Sequence, residues 1–149
     1  MTEREEKAKA WLNRNYGIAL EIRAIQRRLE RMTSDLEKVT RPIKFKEVIE
    51  ANNPGNSQED KMVDYIELSE DLAGRLTYLM SLDAKTMRVI EKVESPILRT
   101  ILIERYINRL NWNQIKAKLH KDGGWVFELH RQALDAILPY VPEEAMRNE

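Results

Sequence analysis

An apolar seam with heptad spacing runs through the first forty residues and limits what the chain can fold into. From Ile18 onward, its members are separated by alternating steps of four and three residues, and Trp11 lies one heptad before Ile18. This spacing predicts one helix over residues 3–39 and is typical of a coiled coil. The helix is predicted to end before Pro42, because the residue preceding a proline disfavours helical geometry. The seam consists of Ile18, Ile22, Ile25, Leu29, Met32, Leu36 and Val39.

A second seam of the same kind follows a connector over residues 41–57. The connector contains FKEVIE, which can form a short turn of helix, and NNPGNS, the strongest turn signal in the chain. Ser57 is a candidate N-cap, and the helix that it begins is predicted to run to about Glu94. Ser95 and Pro96 then supply the N-cap and the first-turn proline of another helix. The second seam consists of Met62, Tyr65, Ser69, Leu72, Leu76 and Leu79.

Neither long helix can bury its seam alone, so the simplest arrangement is an antiparallel hairpin of residues 3–39 against residues 58–93. A basic stripe on the first helix and an acidic stripe on the second favour this pairing, because opposite charges beside a seam fix its register. Phosphate contact is an alternative use of the arginines, and homodimerisation through the same seams is an alternative to the hairpin. The basic stripe is Arg23, Arg27 and Arg31, and the acidic stripe is Asp60, Asp64, Glu67 and Asp71.

Composition excludes several classes of protein. The chain has no cysteine, which rules out disulfides and thiolate metal sites and fits a reducing compartment. No apolar run approaches the roughly 20 residues that span a membrane, and the N-terminus lacks the apolar core of a signal peptide, so a cytoplasmic location is expected. Net charge is zero, but residues 58–94 carry −4 and residues 95–141 carry +3. A local positive charge of this size is weak support for nucleic-acid binding.

Three shorter helices are predicted after the hairpin. The first runs from Ile97 to about Asn108. The second covers Trp112–Leu119, with Asn111 and Gln114 placed as a capping box. The third begins at the N-cap candidate Asp122 and ends before Pro139. Their inward-facing residues are Leu98, Ile101, Leu102 and Tyr106, then Trp112, Ile115 and Leu119, then Val126, Leu129, Ala133, Leu134 and Ile137.

The overall prediction is an all-α protein in three parts. Residues 1–94 form the long, coiled-coil-like antiparallel hairpin with a loop at 40–57. Residues 95–141 form a three-helix unit, in which two short helices and a tight turn precede a longer amphipathic helix, as in a helix-turn-helix. Residues 142–149 form a tail.

The segment from Ile97 to Ile137 resembles region 4 of bacterial sigma factors. Together with the upstream stretch PGNSQEDKMVDYIELSEDL, it is similar to phage late-transcription regulators of the ArpU and RinA kind. This sequence departs from the sigma pattern at Ala117, which lies one position away from the usual alanine. The match is carried by Arg105, Tyr106, Trp112, Ile115, Ala117, Leu119, Val126, Leu129, His130, Ala133 and Leu134.

The resemblance implies sequence-specific binding of double-stranded DNA in a phage or prophage transcription circuit, as an activator of late genes that can also contact RNA polymerase. Helix 125–138 would be the recognition helix in the major groove, and helix 112–120 would cross the backbone. Lys116, Lys118 and Lys121 would contact phosphates, although an ordinary solvated face explains lysines equally well. Glu128, Arg131 and Gln132 would read bases or contact phosphate. Asn113 and Gln114, at the start of helix 112–120, complete the polar candidates.

The pair Gly123-Gly124 departs from the sigma pattern, which often carries base-reading Arg and Glu at these positions. One interpretation, slightly favoured, is that the glycines permit a tight turn. The other is that they let the backbone approach a phosphate at the helix N-terminus.

Two other functions compete with DNA binding. Trp125 and Phe127 are predicted to be exposed, where they would contact thymine methyl groups or anchor a protein partner such as RNA polymerase. A protein-binding module that does not itself read DNA is therefore the main alternative, and an architectural helical hairpin is the third. No catalytic motif appears, His120 and His130 lack metal-ligand partners, and neither an enzyme nor a cofactor is expected.

Overall fold

The computed structural model describes residues 1–40 and 57–147, and this part of the chain is all-α with no strand. The predicted turn at NNPGNS and the short helix at FKEVIE lie outside the described residues, as do the side chains of Val39 and Ser57. Two long helices come first: α1 covers Glu3–Thr40 and α2 covers Ser57–Glu91. Both agree with the predicted bounds within a few residues.

Four shorter helices follow, and side-chain caps mark the start of the first three. α3 covers Pro96–Leu102, and the side chain of Ser95 caps it by accepting from the Leu98 N–H. The chain then continues as a π-helical turn over Ile103–Ile107, where the sequence predicted an unbroken α-helix to Asn108. α4 covers Trp112–Leu119 and α5 covers Gly123–Ile137, which ends two residues before Pro139. A 3-10 turn at Leu138–Tyr140 and α6 at Glu143–Met146 complete the chain.

The described chain divides into two compact units, and the first comprises residues 1–19 and 81–149. Its core joins the start of α1 and the end of α2 to α3, the π-helical turn and α5. The buried residues are Ala8, Trp11, Leu12, Val89, Ile90, Val93, Leu102, Tyr106, Ala133, Leu134, Ile137 and Val141. One core therefore includes residues from both sides of position 94, where the sequence suggested a domain boundary.

The C-terminal end of the chain also belongs to the first unit. Ala145 and Met146 pack against its core, and Lys7 donates a 3.1 Å hydrogen bond from Nζ to the carbonyl oxygen of Met146. The segment predicted to be a tail therefore includes a packed helix.

The second unit comprises residues 20–80 and contains α1 and α2 as an antiparallel pair. Arg75 Nε lies 2.8 Å from a carboxylate oxygen of Glu21, and the Tyr65 hydroxyl donates a 2.9 Å hydrogen bond to Asp35. Ile25, Met32 and Leu79 are the buried apolar side chains among the described residues of this unit.

The charges that join α1 to α2 differ from the prediction. Every member of the basic and acidic stripes is exposed, and no ion pair joins the two stripes within residues 1–40 and 57–147. The observed pair, Glu21 with Arg75, has the opposite polarity, with the acid on α1. The predicted stripes were wrong as register determinants, because Arg27 and Glu67 each lie two residues from a seam position. Two residues correspond to about 200° around a helix, so both side chains face outward.

Candidate nucleic-acid interface

The helix-turn-helix is formed by α4, a short turn and α5, and its first helix is fixed by a reciprocal cap. The Asn111 side chain accepts a 2.8 Å hydrogen bond from the Gln114 N–H, and the Gln114 side chain accepts a 2.9 Å bond from the Asn111 N–H. The predicted capping box is confirmed. Gln114, a predicted DNA contact, uses its side-chain oxygen in this cap, whereas Asn113 is exposed beside it.

The turn between α4 and α5 depends on a left-handed residue that is not glycine. His120 has φ 54° and ψ 42°, and this conformation ends α4. Asp122 then caps α5 by accepting a 2.9 Å hydrogen bond from the Trp125 N–H, as predicted. Neither Gly123 nor Gly124 has a positive φ, since both belong to the first turn of α5. The favoured interpretation of the glycines as turn-formers was therefore wrong.

A buried polar contact joins α5 to the π-helical turn. The Tyr106 hydroxyl and His130 Nε2 are 2.6 Å apart, and the rings of Trp112 and His130 meet edge to face with centroids 4.7 Å apart. Burial lowers the pKa of His130 to about 4, with Lys9 and Arg105 adding repulsion, so the ring is neutral at pH 7. Burial likewise raises the pKa of Tyr106. His130 thus packs inside the helix-turn-helix, as its sequence position suggested.

Arg105 is a supporting residue that the sequence marked only through the Arg-Tyr motif. Its guanidinium carbon lies 4.5 Å from the centroid of the Trp112 ring, and its NH1 group donates to the Leu110 carbonyl oxygen at 3.1 Å. Arg105 therefore connects the π-helical turn to the first residue of α4. It positions the interface without lying on the predicted DNA-facing surface.

The three predicted phosphate-binding lysines lie in different environments. Lys118 pairs with Glu104 at 3.3 Å, and Lys121 lies 5.4 Å from the centroid of the Trp125 ring. Lys116 Nζ lies 3.7 Å from the place that a Cβ at Gly123 would occupy, directly over the start of α5. No carboxylate lies within ion-pairing distance of Lys116 in the part of the chain that the structure describes.

The predicted base-reading side chains form a cluster on the exposed face of α5. Arg131 pairs with Glu128 through contacts of 2.9 and 3.3 Å, and Gln132 donates to Glu128 at 3.4 Å. Hydrogen bonds from Arg131 and Gln132 hold the pKa of Glu128 below its ordinary value. Asp135, which the sequence analysis did not single out, is exposed one turn beyond Arg131.

Two aromatic side chains flank this polar cluster. Trp125 is 50% exposed and Phe127 is 54% exposed, as predicted. The Phe127 ring also contacts Trp112, with centroids 5.3 Å apart. α5 therefore presents both polar and aromatic groups on its surface, while Val126, Leu129, Ala133, Leu134 and Ile137 are buried.

No family model, curated protein or solved structure matches the chain. Within residues 1–40 and 57–147 no group of three or more His, Cys, Asp or Glu side chains could hold a metal ion. In the same ranges, no helix combines the length and apolar character needed to cross a bilayer.

Proposed function

We propose that the protein is a sequence-specific DNA-binding regulator of transcription, acting in a phage or prophage as an activator of late genes. The observation that carries the proposal is the pair of glycine N–H groups at the start of α5 with the Lys116 side chain beside them. The first N–H groups of a helix lack intrahelical partners and form the positive end of its dipole. In this chain those groups belong to Gly123 and Gly124, and the Lys116 ammonium lies over them.

This arrangement favours an anion at the N-terminus of α5. No carboxylate pairs with Lys116 in the described chain, and the Asp122 carboxylate that caps α5 accepts from the Trp125 N–H, which leaves the N–H groups of Gly123 and Gly124 for another acceptor. Glycine at both positions leaves the backbone open to close approach, because no Cβ covers it. A DNA phosphate is an anion of suitable size, and phosphate binding at a helix N-terminus is common.

A phosphate at this point would direct α5 into the major groove with Glu128, Arg131 and Gln132 toward the bases. Glu128 can accept from a cytosine amino group, and Arg131 can donate to guanine. In the free protein Arg131 and Glu128 pair with each other, but this exposed pair separates at little cost. On DNA binding, these side chains would exchange their contacts with one another for contacts with bases.

The experiment selects bound fragments from random duplex DNA and measures affinity for the selected site by fluorescence anisotropy over a series of salt concentrations. Lys116→Ala should weaken binding to all sequences and reduce the salt slope by about one, because one phosphate contact is lost. Lys85→Ala, which removes an exposed lysine of α2, is the matched control and should change neither quantity. Arg131→Ala should weaken the selected site by about tenfold and relax its sequence preference. Equal affinity for every duplex at every salt concentration would refute the proposal.

The second candidate is a protein-binding module, favoured by the exposed aromatic pair Trp125 and Phe127. Large aromatic side chains that are half exposed on one helix often anchor protein interfaces. RNA polymerase is the partner that the transcription hypothesis suggests. If this candidate is correct, Trp125→Ala with Phe127→Ala abolishes capture of purified polymerase, while Lys116→Ala leaves it unchanged.

A further inference from the structure

Two aromatic rings on the exposed side of α5 belong neither to the core nor to the polar cluster. Trp125 and Phe127 each keep about half of their surface in water, whereas Val126 between them is buried. A large apolar side chain of this kind gains free energy when a binding partner covers it. The surroundings of the two rings on α5 indicate which partner that is.

The two rings lie on opposite sides of the polar cluster. Successive residues of an α-helix are about 100° apart, so Trp125 lies about 60° to one side of Glu128 and Phe127 lies about 100° to the other. Gly124 and Arg131 fall between Phe127 and Glu128 by the same spacing, and both are exposed. A surface that meets this polar face of α5 therefore lies next to both rings.

The Phe127 ring is held by packing in the free protein. Its centroid lies 5.3 Å from that of Trp112. The Trp112 ring is itself fixed from two directions, with the Arg105 guanidinium carbon 4.5 Å and the His130 centroid 4.7 Å from its centroid. A side chain that is already ordered loses little conformational entropy on binding. Phe127 therefore presents a pre-positioned apolar face beside the polar cluster.

The Trp125 ring lies beside cations. Lys121 Nζ is 5.4 Å from the Trp125 centroid, and Lys116 Nζ is 3.7 Å from the place that a Cβ at Gly123 would occupy, two residues before Trp125. Lysines next to an exposed aromatic ring suit a nucleic acid, because its backbone is anionic and its base edges include an apolar group. The surroundings of Trp125 therefore favour DNA over a protein surface as the partner of the rings.

The major groove offers an aromatic ring one kind of apolar group. Base edges in this groove present hydrogen-bond donors and acceptors, together with the C5-methyl group of thymine. A ring that covers a donor or acceptor displaces its water without replacing the hydrogen bond, which is unfavourable, whereas a ring that covers a methyl group gains from the contact. With α5 in the major groove, thymine methyl groups are the groups that Trp125 and Phe127 cover favourably.

We infer that Trp125 and Phe127 select thymine through its C5-methyl group. The bound site carries one thymine on each side of the base pair that Glu128 contacts, because the rings lie on the two sides of Glu128. Covering one methyl group raises affinity by about fourfold. This assignment rests on the proposed function, since it names further bases of the same DNA site.

The first test uses the parent chain with the duplex that it selects from random DNA, so its result does not depend on whether a variant folds. Each thymine in turn is replaced by deoxyuridine, which lacks the methyl group and keeps the same hydrogen-bonding edge. Fluorescence anisotropy should show about fourfold weaker binding at two positions, one on each side of the pair whose preference Glu128→Ala relaxes. At these two positions 5-methylcytosine should bind more tightly than cytosine, because it restores the methyl group.

The second test assigns each methyl group to one ring. Phe127→Ala should abolish the deoxyuridine effect at one of the two positions and leave the other intact, and Trp125→Ala should do the reverse. Phe127→Leu keeps an apolar side chain and should retain the effect. Tyr78→Ala, which removes a similarly exposed ring from α2, is the matched control and should retain both effects. Circular dichroism of each variant should show the parent's helical content.

The possible outcomes separate this assignment from the proposed function. A selected duplex in which no thymine responds to deoxyuridine overturns the assignment and leaves sequence-specific DNA binding intact. Full deoxyuridine effects in both alanine variants also overturn it, because other side chains must then contact the methyl groups. Alanine variants that bind the selected site like the parent but no longer capture purified RNA polymerase would assign the rings to a protein surface instead. Failure to select any duplex refutes the proposed function itself, and the assignment with it.

Discussion

The two compact units use helices in opposite ways. In the first unit, apolar side chains from the ends of α1 and α2 and from α3, the π-helical turn and α5 meet in one core that includes Trp11, Leu134 and Tyr106. In the second unit, two helices run side by side, and most seam residues are only half-buried. A helix that contacts a single neighbour can bury only one narrow stripe, so the second unit obtains less stabilisation per residue from its own chain.

The largest expected effect is a loss of stability, and it is compared between one apolar residue of each unit. Leu134→Ala should destabilise the first unit by about 2–5 kcal/mol, because Leu134 is fully buried and its removal leaves a cavity. Leu76→Ala, at a half-buried seam position of the second unit, should cost less, because the site is partly solvated and can collapse. Urea denaturation followed by circular dichroism measures both. Equal losses would remove the distinction between the units.

The second prediction concerns pH and applies to the first unit alone. The pKa of His130 is lowered by burial to about 4, so the folded state binds a proton less readily than the unfolded state. The stability that the neutral ring provides is complete above pH 6.5 and is lost as pH falls toward 4, by about 3 kcal/mol. The free energy of unfolding of the parent and of His130→Gln should therefore be compared at pH 7 and pH 4.5. The parent should lose more, and parallel losses would contradict this role of His130.

The third prediction tests whether the start of α4 is stabilised locally by its cap. Asn111→Ala removes one half of the reciprocal cap and should cost about 1 kcal/mol. Asn113→Ala, two residues later and exposed, is the matched control and should change stability little. Thermal denaturation compares the two variants. An Asn111→Ala protein as stable as its control would show that packing alone fixes α4.

The smallest expected changes in stability come from replacing one glycine of each unit by alanine. Gly74→Ala, in the interior of α2 with open space around it, should raise stability by about 1 kcal/mol and leave DNA affinity unchanged. Gly124→Ala should also raise stability, by less, because it lies in the first turn, but it should weaken DNA binding by covering the backbone. Denaturation and anisotropy together give both quantities. Unchanged DNA affinity in Gly124→Ala would exclude close approach of a phosphate at this glycine.

Signals within a few residues predicted the helices well, but the sequence did not predict which distant segments pack together. Asn111 and Asp122 are caps in the structure because a cap depends only on residues within one turn. The inclusion of Trp11 in a core with Tyr106 depends on contacts far apart in sequence, which heptad spacing does not encode. The predicted charge stripes do not pair α1 with α2 for a geometric reason, since Arg27 faces away from the seam.

The sequence predicted which residues are exposed at the candidate interface, but not which of their side chains contact one another. The exposure of Trp125 and Phe127 followed from the helical period. The pairing of Arg131 with Glu128 and the position of Lys116 over Gly123 depend on side-chain conformations that a sequence does not specify. The role of the glycines was missed because the left-handed residue of the turn is His120, a residue type with only a modest preference for that conformation.

The π-helical turn at Ile103–Ile107 has a consequence for how this helix-turn-helix can vary. A π turn accommodates one residue more than an α turn, and deleting that residue restores regular helix. Such a deletion would rotate everything on one side of it by about 100°, moving the Tyr106 hydroxyl away from His130 and Arg105 away from Trp112. Single-residue gaps in this turn should therefore be excluded from functional homologues, while substitutions that keep its length are tolerated.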